Sequence, residues 1–325
     1  MPSNVFPILR LLADGRFRSG EALARHFGVT RATVWNAVQQ AEELGVQIYS
    51  VRGKGYRLPQ PVDFLDRDRI AAALGASAGL FTLELHDCIE STNTLLMRHA
   101  AEDAAHGTCV AAELQQAGRG RRGRTWFSGL GSGLTFSLLW RFGQGAGALS
   151  GLSLAVGVGL SRALREAGAE DIVLKWPNDV LHRHRKLAGI LIELQGEMLG
   201  PSVAVIGIGL NIRVPDEAIA TIGQPVIDLD RITRKPVERN QLMATVLRHL
   251  ADVLGEFERE GFAPLRDEWL SQHAYHNQPV RLLLPDGSSM DATVLGVADD
   301  GTLLADAGHG LQRFSSAEIS LRGVA

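Results

Sequence analysis

Seven consecutive residues, Gly118-Arg119-Gly120-Arg121-Arg122-Gly123-Arg124, carry four guanidinium groups and three glycines between two apolar runs. Neighbouring Cα atoms lie about 3.8 Å apart, and like charges about 5 Å apart repel by roughly 0.8 kcal/mol even in bulk water. No acidic residue within the stretch offsets that repulsion. Glycines let backbone N–H groups approach a ligand and guanidinium forks match phosphate and carboxylate geometry, so the pattern points to a bound anion. Standing alone, a run of this kind is more often a solvated basic loop; the motifs around it shift the reading.

Other polar residues gather where strands and helices are expected to end. Ser91-Thr92-Asn93 places two hydroxyls and an amide at a helix start, where they cap the helix or meet a polar ligand. Gln115 leads into the glycine and arginine stretch, and Trp126 follows it with an indole suited to stacking on an adenine or to filling a core. Lys175-Trp176-Pro177-Asn178-Asp179 closes one apolar run, and Lys186-Leu187-Ala188-Gly189-Ile190 opens the next. Between them, His182-Arg183-His184-Arg185 reads as a solvated basic tip rather than a metal site. Gly207-Ile208-Gly209-Leu210-Asn211 ends another run with two glycines, which allow a ligand close to the backbone. No Ser/His/Asp arrangement and no paired-carboxylate spacing stands out. Arg119, Arg121 and Lys186, set among glycines and amides, suit electrostatic stabilisation of phosphoryl or acyl-phosphate chemistry without a covalent enzyme intermediate.

Three segments must position these residues. In the first, 1–61, Val5, Ile8, Leu9 and Leu12 repeat at helical spacing. Ser19 then caps a second helix closed by Gly28, and Thr30 caps a third whose stripe is Val34, Val38, Ala41 and Leu44. The tight Gly28-Val29-Thr30 connection makes a helix-turn-helix, and two short strands around Arg52-Gly53-Lys54-Gly55 add a basic wing. Away from the stripe, Asn36, Gln39 and Gln40 suit adenine edges, Arg31 a guanine or a phosphate, and Thr33 lies beside them. Arg52, Lys54 and Arg57 suit phosphates, which position a protein on DNA without reading sequence.

In the second segment, 62–272, apolar runs at 81–85, 108–114, 134–140, 172–176, 187–194 and 203–210 predict strands, with helices at 91–99 and 149–167. Strands mixed with helices and a hairpin over 179–186 predict a mixed-sheet domain. No GxGxxG follows a first strand, which argues against a dinucleotide fold. The third segment, 273–325, has short strands at 280–284, 292–297, 302–305, 312–314 and 319–321, parted by Asp-Gly turns, as in a small SH3-like barrel. The expected fold class is α+β: a winged helix-turn-helix, a central mixed-sheet domain and a small closing barrel.

Composition fits that reading. With 45% hydrophobic and 21% charged residues the 325-residue chain is an ordinary globular protein, and no apolar run approaches the roughly 18 residues of a membrane span. No secretory leader is recognisable and there are only two cysteines, Cys88 and Cys109, so the cytoplasm is the expected compartment and both cysteines are expected as small core residues. The net charge of −3 divides unevenly, +4 over residues 1–60 and −7 over the remainder, as for a polyanion-binding module on an acidic body.

In order and spacing, STN at 91–93, QQAGRGRRGRTWFS at 115–128, KWPNDV at 175–180, KLAGI at 186–190, GIGLN at 207–211 and EISLR at 318–322 resemble the bifunctional biotin protein ligases that also repress the biotin operon. The resemblance covers nearly the whole chain, and GRGRRG, KWPND and KLAGI are specific as a set. It implies an ATP-dependent enzyme that forms biotinyl-5′-AMP and pyrophosphate, then passes biotin to a lysine of the biotin carboxyl carrier protein of acetyl-CoA carboxylase. Mg2+ would come with the ATP rather than on dedicated protein ligands. By the same resemblance biotin meets Ser91, Thr92, Asn93, Gln115, Arg119, Gly120, Arg121 and Lys186, while the adenylate meets Arg121, Trp126, Lys186 and Asn211. Lys186, Arg121 and Asp179 would carry the chemistry: Lys186 bridging the biotin carboxylate and the α-phosphate, Asp179 accepting the proton of the carrier lysine. Operator DNA, an adenylate-promoted homodimer and a glycine–arginine loop ordered by ligand are further implications.

Two departures from the family stand out. Val214, Ile219, Ile222 and Val226 supply apolar cover where an aromatic is expected, and Ser316-Ala317 stands in place of a Gly-Gly pair before Arg322. Two other readings are separable. A lipoate or octanoate ligase of the same superfamily would be expected to lack the GRGRRG and KWPND pair, and a non-catalytic metabolite-sensing transcription factor to have lost Arg121 or Lys186; all are present.

Overall fold

The computed structural model describes residues 4–196, 200–284, 287–315 and 320–323. Helices α1 (Val5–Leu11), α2 (Gly20–Phe27) and α3 (Arg31–Glu43) precede a hairpin of β1 (Tyr49–Val51) and β2 (Gly55–Arg57), as the sequence predicts. Local chemistry sets their ends. The Ser19 and Thr30 hydroxyls each accept a backbone N–H three residues on, at 3.1 Å, and Gly28 closes α2 with φ 65°. Val5, Leu9, Leu23, Val34 and Val38 bury together, and the same apolar cluster takes in Phe64 and Leu114 from outside the winged helix.

After α4 (Arg67–Leu74) comes a seven-stranded sheet in the order β3-β4-β5-β9-β8-β7-β6. Its strands are β3 (Thr82–Ile89), β4 (Thr108–Gln115), β5 (Gly133–Phe142), β6 (Ile172–Lys175), β7 (Asp179–His182), β8 (Arg185–Gly196) and β9 (Ser202–Asn211). Helix α5 (Thr92–Ala101) crosses from β3 to β4, which pair in parallel; the other pairs are antiparallel. Alternation along the strands divides the sheet into two faces. Leu134, Phe136, Leu138, Ile190, Ile206 and Ile208 fall on one face and pack with α6 (Leu152–Glu166) and α8 (Arg239–Glu260). On the other, α5 buries Leu96 and Ala100 against Val110, Leu139 and Val205. That face also carries Thr135, Ser137, Gly189, Gly207 and Gly209, which the registers Thr135↔Gly209, Ser137↔Gly207 and Gly189↔Gly209 bring side by side.

Beyond α7 (Asp216–Thr221), α8 and α9 (Arg266–Ser271), strands β10 (Pro279–Leu283), β11 (Ser289–Val297), β12 (Leu303–Asp306), β13 (Leu311–Phe314) and β14 (Ser320–Gly323) form an antiparallel sheet in the order β13-β12-β11-β10-β14. Among the described residues no β13–β14 pairing closes it into a full barrel. Its Val280, Leu282 and Val294 extend the core of the central domain, and Trp176 Nε1 donates to the Gly301 carbonyl at 3.1 Å. Ser316, Ala317 and Glu318 lie outside the described residues; the Arg322 backbone pairs with Arg281.

The join between winged helix and central domain is set by buried charge. Arg239 opens α8, and its guanidinium is 3% exposed; it donates to Glu113 at 2.7 Å and to the carbonyls of Asp63 and Gly133 at 2.8 and 3.1 Å. Glu113 also accepts the Leu65 N–H, and the Asn240 amide donates to Asp63 and Phe64. Removing one partner of such a pair costs about 3–5 kcal/mol, because the other charge stays buried. The two cysteines are unpaired: Cys109 is buried, which pushes its thiol up, and Cys88 is half-buried.

His273 is buried beside Trp269, ring centroids 4.5 Å apart, and neither ring nitrogen has a hydrogen-bond partner among the described residues. Burial, then the neighbouring His276, pulls its pKa from 6.5 down to about 3. Below pH 6.5 the unfolded chain therefore takes up a proton that the folded chain refuses, and stability drains away as pH falls toward 3, by about 1.4 kcal/mol per unit. Urea unfolding between pH 7 and 4 should show His273→Phe losing less stability than wild type; parallel pH profiles would contradict this.

Candidate active site

Three glycines make the floor. A Cβ at Gly209 would run into the Trp126 indole, one at Gly207 into the Asn93 amide, and one at Gly189 would lie 3.1 Å from Lys186 Nζ and 3.2 Å from the Trp126 ring. Their missing side chains let Asn93 and Trp126 lie against the sheet. Asn93 is 3% exposed and fully engaged: Oδ1 lies 2.5 Å from Ser137 Oγ, and Nδ2 donates to the Leu191 carbonyl at 3.2 Å and to Glu193 at 2.9 Å. Ser91 caps α5, and Gln115 Oε1 accepts the Thr92 N–H at 2.7 Å, tying the helix start to the end of β4.

The glycine–arginine stretch folds back as a short hairpin. Trp126 N–H donates to Gly118 at 2.8 Å and Gly120 N–H to Arg124 at 2.7 Å, with Arg122 and Gly123 at φ 57° and 70° turning the tip. Arg119 reaches Glu193 at 2.7 Å, and Arg121 donates to Asn178 Oδ1 at 3.2 Å. Burial lowers the Arg121 pKa, helped by Arg122 and Arg124 and opposed by Asp179. Lys186 Nζ stands 2.7 Å from Asp179 and 5.6 Å from the centre of the Trp126 ring, while Lys175 Nζ lies 4.0 Å from the other Asp179 oxygen.

Two cavities meet here. One, of about 460 Å³, is lined by Ser91, Thr92, Asn93, Gln115, Arg119, the three floor glycines and Leu191. The second, of about 670 Å³, opens between Arg122, Arg124, Lys175, Asp179 and Gln224. Gly120, Arg121, Trp126, Asn178 and Lys186 belong to both. The shared wall is therefore cationic, the geometry needed where two anionic substrates are brought together.

Most of the expected site residues converge on these cavities, but Asn211 does not line either. Its buried amide donates to the Lys186 and Ile227 carbonyls at 3.3 and 3.1 Å and so fastens the start of β8. Val214 and Val226 are buried in the core, while Ile219 and Ile222 are half-exposed. Asn178 stands within its motif without a local mark of its own, while Thr135, which lines the smaller cavity, and Ser137 and Glu193, which bond Asn93, sit inside strands of ordinary alternation, where nothing local sets them apart from core residues.

In the winged helix, Arg31, Asn36, Arg52 and Lys54 are exposed, while Thr33, Gln39 and Gln40 are half-buried. Thr33 Oγ1 bonds Thr30 and the Gln39 amide donates to Glu42. Trp35, which sequence reasoning did not single out, is 54% exposed on α3.

Residues 5–57 match the HTH domain model, 85–211 the Biotin/lipoate A/B protein ligase family and 275–322 the Biotin protein ligase C terminal domain. Fold and site thus define a biotin protein ligase that carries a helix-turn-helix domain. Over 97% of its length the chain is 38% identical to the Bifunctional ligase/repressor BirA of Salmonella typhimurium, covering 96% of that protein. It is 37% identical to the Escherichia coli protein of the same name, over 99% of both chains. The chain belongs to this bifunctional ligase/repressor family. The biotin protein ligase from Aquifex aeolicus in complex with biotin and ATP superposes with a TM-score of 0.63 and 29% identity, covering 75% of this chain and 99% of that one.

Since a Cβ at Gly209 would displace the Trp126 indole, Gly209→Ala should fold yet lose biotin-adenylate formation by about 100-fold, the usual cost of a 1 Å misplacement at a reacting centre. Single-turnover pyrophosphate release checks this; a rate within threefold of wild type would contradict it.

Proposed function

We propose that biotin occupies the 460 Å³ cavity and ATP the 670 Å³ one, with the biotin carboxylate meeting the α-phosphate at the wall formed by Arg121 and Lys186. The observation that carries this reading is the shared cationic wall. A biotin carboxylate oxygen attacks the α-phosphorus, the new C–O–P link forms, the bond to the β-phosphate breaks, and pyrophosphate leaves with Mg2+ delivered by the nucleotide. Lys186 and Arg121 offset the repulsion between the reacting anions in a half-buried setting, where fixed charge acts more strongly than in water. Trp126 offers a flat apolar surface for the adenine. In the second step the carrier lysine attacks the acyl carbon, an amide forms and AMP departs. Asp179, held between Lys186 and Lys175, is placed to take the amine proton as Lys186 turns to the phosphate. Lys186→Ala should lower biotin transfer to a carrier domain by roughly 100- to 1000-fold with the fold intact; near-normal turnover would show that the site is misassigned.

We propose further that the winged helix binds operator DNA through α3 and the 52–55 wing, and that two copies associate. The open edge of β8 supports the dimer: β7 pairs only as far as Gly189, and residues 191–196 hydrogen-bond to β9 alone among the described strands, a template for a second chain. On α3, exposed Trp35 suits contact with a thymine methyl in the major groove. Against a duplex selected from a random pool by the full-length protein, Trp35→Ala should weaken specific binding about tenfold and leave binding to mixed-sequence DNA unchanged. Unaltered specific affinity would remove Trp35 from the reading surface.

A further inference from the structure

The biotin cavity has two chemically different ends, and they lie along β8. At one end Gly189 adjoins Lys186 and Trp126, and Lys186, Lys175 and Arg121 surround the carboxylate of Asp179, so cations outnumber carboxylates there. Four residues further along the strand, about 13 Å away, stands Glu193. Its Oε2 accepts from Asn93 Nδ2 at 2.9 Å and from Arg119 at 2.7 Å. Both donors line the cavity: Asn93 is buried, and Arg119 reaches in from the glycine–arginine hairpin. One carboxylate oxygen therefore fixes a buried amide and a loop cation together, and matches the charge of that cation.

We propose that Glu193 is a positioning residue for the ligase reaction: by clamping Asn93 and Arg119 it closes and neutralises the end of the cavity opposite Lys186. An uncharged ring system then rests at the Glu193 end and the ligand's carboxylate is turned toward the ATP cavity. The same ion pair fastens the glycine–arginine hairpin to β8. This rests on the placement of biotin in the smaller cavity. Without Glu193, the Asn93 amide loses an acceptor and Arg119 is left uncompensated, so both must be ordered by the ligand at the expense of its affinity. Once the ligand is bound, the cationic wall at Lys186 is intact and the chemical step is spared.

Two measurements on the full-length protein test this. In steady-state adenylate formation, Glu193→Ala should raise the biotin KM about tenfold, the loss of a hydrogen bond to a charged group, with kcat within about threefold of wild type. In ligand-free protein, tryptic cleavage within residues 118–124 should accelerate by roughly fivefold or more as the hairpin opens, and saturating biotin with MgATP should restore protection. Glu193→Gln keeps the shape and one acceptor but not the charge, so it should fall between, and it decides the matter if the alanine variant does not fold. An unchanged biotin KM, or an unchanged cleavage rate, overturns the proposal. A wild-type protein that makes no adenylate would instead sink the site assignment, and the ligand-free cleavage rates would still decide whether Glu193 holds the hairpin.

Discussion

A sheet covered on both faces leaves no room for a ligand, and the architecture of this protein follows from how that room is made. Helices α6 and α8 pack over one face, while α5 covers part of the other. Beside the start of α5, Gly189, Gly207 and Gly209 withhold their side chains from three neighbouring positions. The gap they leave does not go directly to ligand, as their place in the sequence suggests. Asn93 and Trp126 settle against Gly207 and Gly209 and become the walls of the cavities, so the glycines act one layer below the open space. With Trp126 held there, the hairpin before it is fixed in position, and Arg119 and Arg121 are delivered to opposite ends of one cavity.

Three consecutive residues of β4 connect this site to the rest of the molecule. Glu113 pairs with Arg239 at the join between the domains, Leu114 belongs to the apolar core of the winged helix, and Gln115 accepts from the start of α5. Alternation turns Leu114 to the face opposite Glu113, and Gln115, the last residue of β4, reaches the start of α5. A single rigid element thus touches the winged helix, the join to the central domain and the smaller cavity within about 7 Å of chain. The buried Glu113–Arg239 pair is satisfied by backbone groups on both partners, the condition under which charge can be kept in a core. What it specifies is orientation, because two of the groups it bonds, the Asp63 carbonyl and the Leu65 N–H, lie in the segment between β2 and α4.

Much of this was legible in the residues. Caps and stripes located α1 to α3, since Ser19, Thr30 and Gly28 act through their nearest backbone neighbours. The motif residues at 91–93, 115–126 and 175–189 converge on one place, because the registers Asp179↔Gly189, Gly189↔Gly209 and Thr135↔Gly209 bring these strands level across the sheet. What escaped notice depends on distance along the chain. Helix α8 has no side-chain cap and begins with Arg239 and Asn240, polar residues that read as solvent-facing and are buried only because Asp63 and Glu113 meet them. Asn211 follows two glycines at a strand end, the usual setting of a ligand contact, but its amide is used by the Lys186 and Ile227 carbonyls. Neither outcome is encoded within a window of neighbouring residues.

The arrangement proposed above sets biotin over the glycine floor with its carboxylate at the Lys186 wall. A crystal structure of the full-length protein soaked with biotin tests it most directly. Density for the ring system should lie between Thr92, Asn93 and Arg119, with the carboxylate directed toward Lys186 and Arg121. Biotin bound with its carboxylate at Glu193, or on any other surface while the cavity over Gly207 and Gly209 holds no biotin, would contradict it.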